Sequence, residues 1–107
     1  MTAMFFRVEI ATRMERNAAI ASVRDAIVQC GGWITGHQLF SNMAASISCE
    51  IPLRCAGKLI TCLRDAELQP DYQGDIPQGW DGDLRVGISL TFIHTEPDLK
   101  REVLAFG

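Results

Sequence analysis

The run Leu84-Arg85-Val86-Gly87-Ile88-Ser89-Leu90-Thr91-Phe92 puts an apolar side chain at every second position, and this alternation constrains the chain more than any other feature. Successive side chains of an extended strand point to opposite sides, so such a run is a strand with one face against a core and the other turned away from it. Met4 to Thr12 repeats the pattern, with Phe6, Val8 and Ile10 on one side and Phe5, Arg7, Glu9 and Ala11 on the other. Two half-buried strands need amphipathic cover.

Two segments of helical period supply it. After Asn17, a residue type favoured at a helix N-cap, Ala19, Ile20, Val23, Ala26, Ile27 and Cys30 recur at three- and four-residue steps. Gly31-Gly32 then ends the helix, because glycine accepts the left-handed conformation of a C-terminal cap. After Pro52, Ala56, Leu59, Ile60, Leu63 and Ala66 return to the same spacing as far as about Leu68, before Pro70 stops it.

Between the helices, Trp33 to Phe40 and Met43 to Ile51 read as strands joined at Ser41-Asn42, a hairpin. A two-residue turn would pair Phe40 with Met43, Gln38 with Ala45, Gly36 with Ile47 and Ile34 with Cys49, all on the core side. Trp33, Thr35, His37 and Leu39 then share the opposite face with Ala44, Ser46, Ser48 and Glu50. The order strand, helix, hairpin, helix, strand predicts a single α+β domain over residues 1–107. It is a ferredoxin-like β-α-β-β-α-β sandwich, a four-stranded antiparallel sheet with two helices on one face. Pro70 to Asp83 is left as a long loop. Thr95-Glu96-Pro97-Asp98 has the form of a capping box and predicts a short C-terminal helix through Leu99, Val103 and Leu104.

Composition narrows the function classes. The 107 residues carry a net charge of −3 with scattered Lys and Arg, whereas phosphate neutralisation needs them concentrated, so nucleic acid is not an expected partner. The apolar stretch Ala3-Met4-Phe5-Phe6 is too short for a signal peptide, and no run approaches the ~18 apolar residues of a membrane span. A soluble, cytoplasmic protein without a membrane partner is the expectation. Cys30, Cys49, Cys55 and Cys62 contain no C-x-x-C, and Cys55 and Cys62 on one helix would stand about 10.5 Å apart, beyond disulfide reach. Free thiols, no metal and no cofactor are expected. Asp71, Asp75, Asp81 and Asp83 fail the EF-hand pattern, since a loop opening at Asp81 has Val86 at the glycine position and Phe92 at the closing glutamate. No phosphate-binding glycine loop, dinucleotide fingerprint or nucleophile elbow is present, and a non-enzymatic role is expected.

Helices on one face leave the other open, and its middle is small and uncharged: Ala44, Ser46, Ser48, Gly87 and Ser89, framed by Phe5, Trp33, Leu39 and Ile93. A solvated sheet face normally carries longer polar side chains, so something is expected to pack there: a second copy of the chain, its own C-terminal segment, or a small ligand. Arg7, Glu9 and His37 on this face are the candidates for an alternative site, in an enzyme or a ligand carrier. Tyr72 and Trp80 are aromatics on a loop, a setting where they usually pack against a neighbour or a ligand.

The stretch from Phe6 to Pro70 resembles the ACT domain, a small regulatory module. The likeness lies in the helix ending Ala26-Ile27-Val28-Gln29-Cys30-Gly31-Gly32 and leading to Trp33-Ile34, followed by a hairpin and a second helix. The resemblance implies a homodimer that senses a small effector such as an amino acid, at the junction of the first strand and first helix. There Arg13, Arg16 and Asn17 are the implied ligand contacts, because two guanidinium groups and the first free amides of a helix together hold a carboxylate.

Overall fold

In a computed structural model of the chain, residues 4–41 and 43–93 are described. The elements in order are β1 (Met4–Thr12), α1 (Arg16–Gln29), β2 (Trp33–Ser41), β3 (Ala44–Pro52), a 3-10 turn (Leu53–Cys55), α2 (Ala56–Asp65), β4 (Pro70–Asp71) and β5 (Asp83–Phe92). The capping box at Thr95 and the short C-terminal helix lie outside the described residues.

The alternating runs fold as the period dictates. Phe6, Val8 and Ile10 of β1, Ala45, Ile47, Cys49 and Ile51 of β3, and Leu84, Val86, Ile88, Leu90 and Phe92 of β5 form one buried face. Against it lie Ala19, Val23, Ala26 and Ile27 of α1 and Ala56, Leu59, Ile60 and Leu63 of α2, in one contiguous core. Both helices therefore cover the same side of the sheet.

The sheet corrects the expectation of four antiparallel strands. It has five strands in the order β2-β3-β5-β1-β4, and β5 runs parallel to β1 along its whole length, from Met4 opposite Leu84 to Thr12 opposite Phe92. The cause lies in the segment read as a plain loop. After α2 the chain forms β4 antiparallel to β1, pairing Asp71 with Glu9 and Pro70 with Ile10, and residues 72–82 carry it on to the far end of the sheet. There Gly82 accepts a hydrogen bond from the Leu53 amide at 2.9 Å. The last strand thus enters from the same end as β1, between β1 and β3.

The hairpin register is also corrected. Ile34 stands opposite Cys49 as expected, but irregularities between Ile34 and Gly36 and between Leu39 and Ser41 shift the rest, so that Gly36 faces Ser48, His37 faces Ile47 and Gln38 faces Ser46. A one-residue slip exchanges the two faces of a strand. Gly36 and Gln38 consequently lie on the open face, and His37 and Leu39 on the helix side.

Candidate functional site

The outer edge of β1 builds the best-defined concavity. β4 covers β1 only at Glu9 and Ile10, so residues 4–8 have no strand partner on that side among the described residues. Residues 71–77 lean over this open edge and enclose a cleft of about 480 Å³ lined by Phe5, Phe6, Arg7 and Glu9 from β1 and Asp71, Tyr72, Gln73, Asp75 and Pro77 from the returning segment.

Each wall has a local cause. Tyr72 is anchored by its ring, which meets Phe6 edge to face at 5.4 Å between centroids and an interplanar angle of 61°. Phe5, on the opposite face of the strand from Phe6, is exposed, and the Arg7 guanidinium lies 5.6 Å from its ring centroid, within cation–π range. Three carboxylates (Glu9, Asp71, Asp75) and one guanidinium (Arg7) therefore border aromatic surface. Such a lining offers ionic partners for a cation and an anion on one ligand, with an apolar wall for its body.

The β1–α1 junction is built differently from its expectation. Glu15, not Asn17, caps α1: its Oε1 accepts a hydrogen bond from the Ala18 amide at 3.0 Å. Hydrogen bonds from the Asn17 and Ala18 amides hold the Glu15 carboxyl below its ordinary pKa. The chain's own carboxylate thus occupies the helix amides that an effector carboxylate was expected to use. Thr12 is buried, and its hydroxyl accepts from the Met14 amide at 3.0 Å. Arg13 borders an open depression with Thr12, Met14, Glu67, Gln69 and Ile93, whereas Asn17 borders another with Ile20, Ala21, Arg24, Asp25 and His37. Arg16, half-buried, opens the helix.

Of the alternative trio, Arg7 and Glu9 come together on β1 and both border the β1-edge cleft. His37 does not join them; it lies across the sheet, on the helix side beside α1. Asp71, Tyr72, Gln73 and Asp75 complete the cleft; of these the sequence marks Tyr72 as a loop aromatic, which packs on Phe6, and gives little sign that the others reach β1, since β4 is only two residues long. Trp80 is exposed and stands outside the cleft lining.

Among the described residues, no group of three His, Cys, Asp or Glu side chains is placed to hold a metal ion. No helix among them is long and apolar enough to cross a membrane. What fold and site define is an α+β domain with two helices on one face of a mixed five-stranded sheet and a charged, aromatic cleft at one sheet edge. Comparison with protein-family models, with curated proteins and with solved structures gave no match.

Proposed function

We propose that this chain is a small, non-enzymatic, ACT-like regulatory module of the cytoplasm, a homodimer that senses a small molecule such as an amino acid. Its fold on this reading is a ferredoxin-like arrangement enlarged by one central strand. One observation carries the ligand class: the cleft at the β1 edge sets a guanidinium (Arg7) and three carboxylates (Glu9, Asp71, Asp75) around aromatic rings. An amino acid presents the matching set, a carboxylate for Arg7, an ammonium for the acidic groups and a side chain for Phe5 and Tyr72. The reading moves the site from the β1–α1 junction, where Glu15 already fills the helix amides.

A thermal-shift screen of amino acids tests it. A ligand that binds only the folded chain stabilises it by about 2.7 kcal/mol at a hundredfold excess over its dissociation constant, which moves the midpoint of a domain this size by several degrees. The shift is expected to disappear in Arg7→Ala and in Glu9→Gln and to survive Arg13→Ala. A shift abolished by Arg13→Ala or Arg16→Ala but kept in Arg7→Ala would return the site to the junction. No shift with any amino acid overturns the ligand class.

A further inference from the structure

Pairing along the outer edge of β1 stops where β4 ends. β4 meets β1 at Ile10 and Glu9 alone, and among the described residues no strand continues its line alongside Met4 to Val8. The chain leaves that line as the Tyr72 ring turns in to pack on Phe6. An unpaired strand edge presents a row of amides and carbonyls that a further strand can satisfy, and extended peptides are recognised at sheet edges through such main-chain bonds. Here the edge also forms one wall of the cleft, whose volume of about 480 Å³ falls in the range of sites for drug-sized ligands. Its charges are not used within the chain: among the described residues, no ion pair engages Arg7, Glu9, Asp71 or Asp75.

We propose that the cleft binds the N-terminal end of an extended peptide, which adds to β1 as an antiparallel strand along residues 4–7 and sets an acidic first side chain beside Arg7. The placement of charge fixes the direction. Glu9 and Asp71 stand opposite each other where β4 ends, so a free ammonium belongs at that end. A peptide that starts there and runs towards Met4 is antiparallel to β1, as β4 is. Opposite residues of paired strands share a face, so a first residue opposite Arg7 puts its side chain beside the guanidinium. The second then lies on the side of Phe6 and the Tyr72 ring, and the third on the side of the exposed Phe5. That order calls for an acidic residue, then an apolar one, then an aromatic one. The inference rests on the cleft of the proposed function and makes the amino acid sensed there the first residue of a peptide.

The probe is the peptide amide Asp-Val-Tyr-Val, titrated into the isotope-labelled protein by NMR. It is expected to move the amide signals of residues 4–9 and to bind about tenfold more tightly than free aspartate, and N-acetylation, which removes the ammonium, should cancel that gain. Methylating the amide nitrogen of the second or of the third peptide residue separates strand addition from mere contact. Alternate amides face the neighbouring strand, so one methylated peptide should lose affinity and the other keep it. Arg7→Glu should reverse the preference in favour of Lys-Val-Tyr-Val, and the thermal midpoint of the variant checks its fold. Equal affinity of the two methylated peptides, or a peptide no tighter than aspartate, overturns strand addition while leaving an amino-acid site standing. A peptide that binds as described where no free amino acid does keeps strand addition and overturns the amino-acid ligand class. Failure of peptide and amino acids alike overturns both.

Discussion

The ring of Phe5 lies across Gly87: a Cβ added at Gly87 would stand 2.9 Å from the tip of that ring. Phe5 is on β1 and Gly87 on β5, where Gly87 is the register partner of Arg7. The missing side chain at Gly87 therefore lets Phe5 fold inward over the open face and sit under the Arg7 guanidinium. Gly87→Val is expected to push the exposed ring outward at little cost in stability, since a β-branched residue suits a strand and the displaced group is the far end of a side chain. The midpoint in urea should fall by less than about 1 kcal/mol equivalent, while the aromatic NMR signals of Phe5 move and ligand affinity at the β1 edge drops. Unchanged Phe5 signals would contradict the contact.

Gly32 makes the opposite kind of contact. A Cβ there would lie 2.5 Å from the Glu50 carbonyl oxygen and 2.5 Å from Ile51 Cγ2, where the end of α1 presses on β3. One of those neighbours is backbone, which cannot swing away. Gly32→Ala is expected to destabilise the fold by about 2–4 kcal/mol in equilibrium unfolding, far more than Gly57→Ala, whose added Cβ meets nothing within 4 Å. Equal losses at the two positions would show that the close approach is not there.

The same contrast explains what could be read from the sequence. The alternation in β1, β3 and β5 and the apolar stripes of α1 and α2 are repeated signals with one structural solution, and those elements fell close to their expected places. The face assignment of β2 depended on a single register, and the irregularity after Ile34 reversed it, moving His37 away from Arg7 and Glu9. Glu15 displaced Asn17 as the cap because α1 begins at Arg16, which sets the Ala18 amide three residues on within reach of the Glu15 side chain, a choice of helix start that periodicity does not make. β4 joins the sheet through only two residues, too few for any pattern to register, yet that return run makes β5 parallel to β1 and closes the cleft. Arg7 and Glu9 were thus legible as candidates, and the acidic wall facing them was not.

Thiol chemistry should divide the four cysteines into two pairs. Burial pushes the Cys30 thiol up to about 12, with Cys62 and Cys55 adding to the effect, and burial pushes Cys49 up to about 12 as well. Only the thiolate attacks a disulfide reagent, so both should stay unmodified in the folded chain at neutral pH, while the half-buried Cys55 and Cys62 react first. The pKa of each buried thiol is raised on folding. Its contribution to stability is therefore complete below the unfolded pKa and is lost as the pH rises from about 9.0 towards 12. Labelling followed by peptide mass spectrometry checks the division; modification of Cys30 or Cys49 as fast as in the urea-denatured chain would sink it.

The cap on α1 gives stability an acid limb of known sign. Glu15 accepts hydrogen bonds from the Asn17 and Ala18 amides, and these bonds, more than its neighbour Arg16, hold its pKa below the ordinary range of a glutamate carboxyl. The ionised form is the one the helix start favours, because the first amides and the helix dipole both stabilise negative charge there. A carboxyl with a depressed folded pKa contributes stability that is fully present above its unfolded pKa and disappears as the pH falls through the folded one. Glu15→Gln keeps an oxygen able to accept from the Ala18 amide but removes the charge, so the variant should be less stable than the parent near neutral pH. That gap should close as the pH drops from the ordinary carboxylate range through the folded pKa, below which the parent's carboxyl is also neutral. Urea midpoints of both proteins across that range measure the gap. Gln at position 15 removes only the part of the acid sensitivity that belongs to this cap, leaving that of the other carboxylates in place. A gap that stays constant with pH, or widens in acid, would mean that the Glu15 charge is not what holds the first turn of α1.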